Sequence, residues 1–108
     1  MLWFGRKNRE ITAFARSLAE EIFSNLPPVL IEKQNDQKDK KGARQAKQRF
    51  QTVLDDTVSH TRQFKQHNRL KVYGKAKFHL ELTNRLKSLG YDAELADKIN
   101  RYIMVRTP

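Results

Sequence analysis

Apolar residues recur at three- and four-residue spacing in four separate segments of this 108-residue chain. That spacing places them along one side of an α-helix, whereas a half-buried strand would need alternation. The stripes are narrow, because hydrophobic residues make up 38% of the chain and charged residues 31%, so the helices must share one core. We therefore predict an all-α fold, a small bundle of about four helices in a single domain over residues 1–108.

Proline, glycine and capping residues set the predicted helix boundaries. The first helix is expected to follow a cap at Asn8, which leaves residues 1–7 as an N-terminal segment, and to end before Pro27-Pro28. Gly90 is suited to the left-handed residue that closes a helix, and Asp92 to the cap of the next one. The last two helices are therefore predicted to form a tight hairpin.

The segment between the first two helices lacks large apolar side chains. Residues 32–42 are rich in Lys, Asp and Gln, and such a composition cannot bury enough surface to offset the entropy lost on ordering. We predict a mobile, basic, flexible linker there, followed by a long helix from Ala43 to about Asn68. The core seam expected for that helix consists of Ala46, Phe50, Val53, Thr57, His60 and Phe64.

Residues 70–82 admit two interpretations. Residues 76–83 alternate like a strand, which could pair with residues 70–73 across Gly74 as a hairpin, yet Phe78, His79 and Leu82 also lie on one helical stripe. An isolated hairpin is marginally stable in water. We favour a helix over residues 75–89.

Composition excludes several classes of site. The chain has no Cys, which rules out disulfides, Cys-based zinc sites and thiol nucleophiles, and which fits a reducing compartment. No apolar run approaches the roughly 20 residues of a spanning helix. We expect a cytoplasmic protein with no transmembrane segment.

The polar residues form no recognisable catalytic or metal motif. His60 and His67 would lie about 10.5 Å apart along a helix, too far to share one metal ion. We interpret His79 and His60 as hydrogen-bonded histidines in or beside the core, with Asp56 as the partner of His60. No glycine-rich phosphate loop is present. We predict that the protein is not an enzyme and has no cofactor or metal.

Positive charge is the remaining signal. The net charge is +10, and it is concentrated in residues 38–49 and 62–77, which each carry six Lys or Arg, with Asp39 as the one acid among them. Such tracts attract phosphate polymers, and their Lys-rich composition favours contact with the backbone over sequence readout. The predicted nucleic-acid-binding residues are Lys40, Lys41, Arg44, Lys47, Arg62, Lys65, Arg69, Lys71, Tyr73, Lys75 and Lys77, with Tyr73 placed to stack on a base and Arg62, Lys65 and Arg69 facing away from the core.

Other interpretations stay open at this level. The basic tracts also fit a solvated surface that keeps a small bundle in solution. A protein-interaction or self-associating bundle, an adaptor or regulatory subunit with no nucleic-acid role, would use the seam of the second helix or Trp3 and Phe4. These two aromatic residues also suit either an interfacial membrane anchor or a cap on the core. The sequence does not distinguish DNA from RNA, or a monomer from a homodimer.

Overall fold

The computed structural model describes residues 2–29, 31 and 40–108, and in residues 2–5 the backbone alone. These residues form four α-helices: α1 (Leu2–Asn25), α2 (Lys40–His67), α3 (Val72–Ser88) and α4 (Ala93–Arg106). No strand occurs in the described ranges, so the predicted all-α bundle of about four helices is confirmed. None of these helices combines the length and the apolar composition that crossing a bilayer requires.

Helices α1 and α3 run parallel to each other. The Phe14 and Phe78 ring centroids are 5.7 Å apart, and further along both helices Glu20 Oε1 lies 2.7 Å from Arg85 Nη2. This pair of helices makes the most extensive contact of the bundle. Both helices therefore begin at the same end of the molecule.

Helices α2 and α4 form the second parallel pair. Gln51 Nε2 donates to the Tyr102 hydroxyl at 2.6 Å, and Arg62 Nη2 donates to the Arg106 carbonyl at 3.0 Å. Contacts of α1 with α2 and of α3 with α4 close the ring of four helices. The starts of α1 and α3 thus lie at the same end as the last turns of α2 and α4.

Aromatic and small side chains fill the core between α1, α2 and α3. Phe78 is completely buried, and the rings of Phe14 and Phe64 stack with their centroids 4.0 Å apart. Ala15 and Ala19 are also completely buried, and such small side chains permit the close packing of α1 on α3.

The α3–α4 hairpin has the predicted caps. Gly90 adopts φ +106°, and the Tyr91 N–H donates to the Leu86 carbonyl at 3.2 Å, which is the long bond of a Schellman motif. The Asp92 carboxylate accepts a 2.7 Å hydrogen bond from the Leu95 N–H and caps α4.

The predicted starts of the first two helices are wrong. Helix α1 begins at Leu2 rather than after Asn8, because a capping preference of about 1 kcal/mol does not stop a helix when the preceding residues are themselves compatible with it. Helix α2 begins at Lys40, so the last three residues of the predicted linker are helical. Lys is a good helix former, and a solvated turn needs no apolar side chain. The remainder of that linker, residues 32–39, lies outside the described residues.

The segment 70–82 is helical from Val72 onward, and the hairpin interpretation is wrong. Phe78, His79 and Leu82 are buried as the helical stripe predicts, while Leu80 is 61% exposed. The helix begins three residues earlier than predicted because it starts directly after the turn that ends α2. Lys71 is its N-cap residue and has an extended backbone conformation.

Candidate nucleic-acid interface

Cations from two distant parts of the sequence meet beside the start of α3. Lys7 of α1 lines a cavity of about 260 Å³ together with Arg69 and Lys71 of the α2–α3 turn. Arg6 and Lys7 share a neighbouring surface hollow with Arg69. We call Arg6, Lys7, Arg69 and Lys71 the basic end.

A second group of cations continues along the α1–α3 face. Arg9 and Arg16 of α1 and Lys77 of α3 line one shallow hollow, and we call these three the basic flank. Two acids partly offset this charge: Glu10 lies 3.6 Å from Arg6, and Glu81 lies 3.4 Å from Lys77. The residues of each pair are one helical turn apart. The Arg6–Glu10 pair is exposed and contributes little stability, whereas the Lys77–Glu81 pair is partly buried.

Backbone dipoles add to the positive potential of the basic end. Helix α3 has no acidic residue in its first turn, and Lys71, its N-cap residue, makes no side-chain capping hydrogen bond. The start of a helix carries about half a positive charge. The cations at this position repel one another and are repelled by the positive end of the helix dipole. A bound anion would relieve both repulsions.

Arg69 is held in a backbone conformation that favours glycine. Its φ is +49°, and it occupies the same position in the Schellman motif that ends α2 as Gly90 does at the end of α3. In this motif the Leu70 N–H donates to the Lys65 carbonyl at 3.1 Å and the Arg69 N–H to the Gln66 carbonyl at 3.3 Å. A residue with a Cβ in this region costs about 1–2 kcal/mol. Because glycine would avoid this strain, the presence of arginine suggests a role for its side chain.

Several of the predicted site residues lie at the basic end or beside it. Arg69 and Lys71 belong to it, Lys77 belongs to the basic flank, and Tyr73 lines the 260 Å³ cavity with 60% of its surface exposed. Lys75 is half-buried at the end of the first turn of α3. The second basic tract therefore does contribute to one surface.

The first basic tract lies elsewhere. Lys40, Lys41, Arg44 and Lys47 are exposed on the first turns of α2, about 35 Å from the end of that helix at 1.5 Å per residue. The structure does not bring the two tracts together. They form separate patches at opposite ends of α2.

Arg62 is exposed as predicted, but its side chain already has a partner. Its guanidinium donates to the Arg106 carbonyl at the end of α4. A group that satisfies the last carbonyls of a helix stabilises that end. Arg62 therefore contributes to the α2–α4 contact as well as to the surface charge.

Lys65 is not on the surface, and its predicted outward position is wrong. It is 6% exposed, and its ammonium lies 2.6 Å from the Thr107 carbonyl, 2.9 Å from Thr107 Oγ1 and 2.8 Å from His79 Nε2. His79 Nδ1 lies 2.7 Å from Asn100 Oδ1. Because an ammonium only donates, Nε2 is the accepting nitrogen of a neutral His79 and Nδ1–H donates to Asn100. We call Lys65, His79, Asn100 and Thr107 the buried network.

Burial shifts the protonation of both basic groups in the buried network. Loss of water, with a smaller contribution from the charge of Lys75, lowers the pKa of Lys65 from 10.5 to about 8. Loss of water also lowers the pKa of His79 below 6.5; the hydrogen bond to Asn100 opposes this effect, and the charge of Lys65 adds to it. The expectation that His79 is a hydrogen-bonded histidine at the core is confirmed.

The error at Lys65 has a geometric cause. The buried stripe of α2 consists of Leu54, Thr57, Val58, Thr61 and Lys65, and at 100° per residue its centre is rotated by about 80° from the predicted seam. Thr57 and Thr61 tolerate burial because each hydroxyl donates to a carbonyl of its own helix at 2.7 Å.

The same rotation moves His60 outward. Its side chain is 49% exposed, and its Nδ1 lies 3.6 Å from Glu21 Oε2 on α1. The predicted core position and the predicted Asp56 partner are therefore wrong. Among the described residues, no three His, Asp or Glu side chains converge as metal ligands would.

The cations of α1 were missed by the sequence analysis. Residues 1–16 carry Arg6, Lys7, Arg9 and Arg16 against Glu10, a bias visible in the sequence. It was hidden because the acids later in α1 and elsewhere bring the charge outside the two tracts close to zero. The parallel packing of α1 on α3 places these α1 cations beside those of the α2–α3 turn and of α3.

Comparison with known proteins found no match to this chain among protein-family models, curated proteins or solved structures.

Proposed function

We propose that this protein binds nucleic acid through its phosphate backbone, largely without sequence specificity. The observation that carries the proposal is the convergence of Arg6 and Lys7 of α1 with Arg69 and Lys71 of the α2–α3 turn. Four cations beside the N-terminus of α3 form a compact site for anions. The cations of the basic flank extend this surface along α1 and α3.

The expected salt dependence follows from the number of cations. The basic end and the basic flank hold seven Lys or Arg, and Arg6 and Lys77 each lie within 4 Å of a carboxylate. If about five of these seven cations each neutralise one phosphate, the slope of log K against log salt is about −4.5 for duplex DNA and about −3.5 for a single strand. The exposed start of α2 would steepen these slopes if the same strand reached it.

Fluorescence anisotropy of labelled duplex DNA, single-stranded DNA and RNA at several salt concentrations tests the proposal. The variant Arg69→Glu/Lys71→Glu should weaken binding and reduce the magnitude of the duplex slope by about 1.8. The matched control Lys87→Glu/Lys98→Glu also lowers the net charge from +10 to +6, at exposed positions of α3 and α4 distant from the basic end, and should keep the slope. Absence of binding to all three nucleic acids at low salt would refute the proposal.

A protein-interaction role is the second candidate. Val72 and Leu80 on α3 and Met104 and Val105 on α4 are between 44% and 85% exposed, and exposed apolar side chains are a means of association. Partly buried Phe50 and Phe64 of the predicted seam pack against the bundle's own core, which leaves less of that seam for a partner. Sedimentation at rising protein concentration in high salt would detect self-association by a rise in mass.

We further propose a cytoplasmic location. The absence of Cys supports it, since a cysteine-free chain needs no oxidising compartment. Fractionation of cells with an antibody to the native protein tests this location.

A further inference from the structure

The cavity at the basic end combines an apolar floor with a cationic rim. Ile11 and Leu70 form its floor and are 2% and 7% exposed, and the backbone of Gly74 forms part of its wall. A Cβ at Gly74 would lie 3.2 Å from Leu70 Cδ2 and 3.5 Å from Ile11 Cδ1. Glycine inside a helix is unfavourable by roughly 0.5–1 kcal/mol relative to alanine, but here it avoids a crowded contact and leaves the floor uncovered.

The rim carries positive charge from two segments. Lys7, Arg69 and Lys71 surround the floor, and none of the described residues that line the cavity is acidic. A purely apolar ligand would gain nothing from this rim, and a simple anion would gain nothing from the floor. The cavity is therefore complementary to a group that joins a flat apolar ring to a nearby negative charge.

Tyr73 supplies an aromatic wall to the same cavity. It follows Lys71 by two residues in the first turn of α3, and 60% of its surface is exposed. A nucleobase stacks on such a ring whatever its sequence, because every base has a π-face. The volume of about 260 Å³ is just below that of sites for drug-sized ligands, which suits one ring system rather than a longer ligand.

We propose that the cavity accepts one unpaired base of a single-stranded nucleic acid, which stacks on Tyr73 while Lys7, Arg69 and Lys71 hold the adjoining phosphates. This inference rests on the proposed nucleic-acid function and narrows it to single strands. In a duplex the bases are paired and stacked, so a base reaches the cavity only after it is flipped out, at a cost of a few kcal/mol. A duplex and a single strand can both make the phosphate contacts, but only a single strand offers an unpaired base without this cost.

The strained arginine is consistent with this arrangement. Glycine would be the least strained residue at position 69, as Gly90 is in the equivalent motif. Arginine at this position instead places a guanidinium on the rim of the cavity. Guanidinium groups bind phosphate in a bidentate manner and also stack on bases.

The test compares four probes of equal length, about twelve nucleotides, within the range that single-strand sites cover. They are oligothymidylate, oligouridylate, a DNA duplex and an abasic DNA strand with the same phosphates but no bases. Anisotropy titrations at one moderate salt concentration give the affinity of the native protein for each. We expect both base-bearing single strands to bind more tightly than the abasic strand and the duplex.

Variants assign the difference to the cavity. Tyr73→Ala should weaken binding of oligothymidylate by about tenfold to a hundredfold, and it should leave the abasic strand and the duplex within about twofold. Tyr73→Phe keeps the ring and should lose less than Tyr73→Ala. The matched control is Leu80→Ala, which removes an equally exposed side chain about two turns later on the same helix, and it should leave all four affinities unchanged. Thermal melting of each variant confirms that the fold is retained.

The outcomes separate this inference from the proposed function. Equal affinity for base-bearing and abasic strands, together with no effect of Tyr73→Ala, would overturn the base-binding cavity and leave phosphate binding intact. A preference for bases that Tyr73→Ala does not reduce would place base recognition elsewhere and also overturn it. If no probe binds at this salt concentration and none binds when the titrations are repeated at low salt, the proposed function is refuted and the inference with it.

Discussion

The buried network makes the stability of this protein depend on pH in an unusual direction. The Lys65 ammonium is surrounded by neutral acceptors, the Thr107 carbonyl and hydroxyl and His79 Nε2, and its pKa is lowered from 10.5 to about 8. As pH rises above 8, the folded protein releases this proton before the unfolded chain does. The unfolded state then binds more protons, so the free energy of unfolding increases with pH.

The size of the effect follows from the two pKa values of Lys65. Linkage gives a gain of about 2 kcal/mol in the free energy of unfolding between about pH 7 and about pH 9.5. The titration of Tyr91 has the opposite sign, because burial raises its pKa to about 12 and the unfolded chain loses that proton first. Keeping the measurement below pH 10 limits this second contribution.

Urea denaturation at half-unit intervals of pH measures the gain, with Lys65→Met as the reference. Methionine fills a similar volume without a titratable group, so the variant should lack the additional 2 kcal/mol while keeping any general effect of a falling net charge. Parallel curves for the two proteins would refute the reasoning.

The same prediction has a direct spectroscopic form, which does not depend on the variant's stability. In the folded native protein with ¹³C-labelled lysine, one side-chain resonance should titrate with a midpoint near pH 8. Absence of such a resonance would show that the ammonium is not buried as described. On the acid side the pKa of His79 is lowered, so stability should fall as pH decreases below about 6.5.

Three further variants test individual features of the fold. Arg69→Gly should raise the free energy of unfolding by about 1 kcal/mol, since it removes a left-handed arginine, while weakening nucleic-acid binding; a loss of stability in urea denaturation would contradict the strained conformation. Asp92→Ala should lower stability by about 1 kcal/mol, since the Leu95 N–H loses its acceptor, and an unchanged melting temperature would show that the cap is dispensable. Phe78→Ala should cost about 3–5 kcal/mol because the ring is completely buried, and calorimetry showing less than 1 kcal/mol would mean that the core closes around the cavity.

The helices could be predicted from the sequence because their signals are local. Pro27-Pro28, Gly90 and Asp92 act on the backbone within a few residues. The structure has a helix boundary at or next to each of them. The start of α1 was wrong for the complementary reason. No residue before Asn8 prevents a helix. That Lys7 and Ile11 line one cavity with the α2–α3 turn is not encoded in any local pattern.

The candidate site could be predicted in part. Arg69 and Lys71 follow from the density of charge in one tract, and Tyr73 follows from its place between Lys71 and Lys75. All three line one cavity in the structure. Lys7 could not be assigned to the same site, because its position depends on α1 packing parallel to α3. Lys65 was misplaced because hydropathy assigns a charged residue to the solvent, whereas three acceptors from α3 and the end of α4 make its burial possible.

Lys65 is linked to the basic end through its backbone and through its charge. Its carbonyl accepts a hydrogen bond from the Leu70 N–H, in the turn that carries Arg69. Its ammonium has only neutral acceptors at hydrogen-bond distance, so no partner cancels its charge. A charge in the protein interior is screened less than one in water, so its field reaches the nearby surface.

We therefore expect Lys65 to support anion binding without touching the ligand. Between about pH 7 and about pH 9 the native protein should lose affinity for oligothymidylate more steeply than Lys65→Met, because it alone loses this interior charge. Anisotropy titrations of both proteins at fixed ionic strength measure the difference. Equal slopes would show that the interior charge is screened before it reaches the phosphates, and that the exposed cations alone attract the ligand.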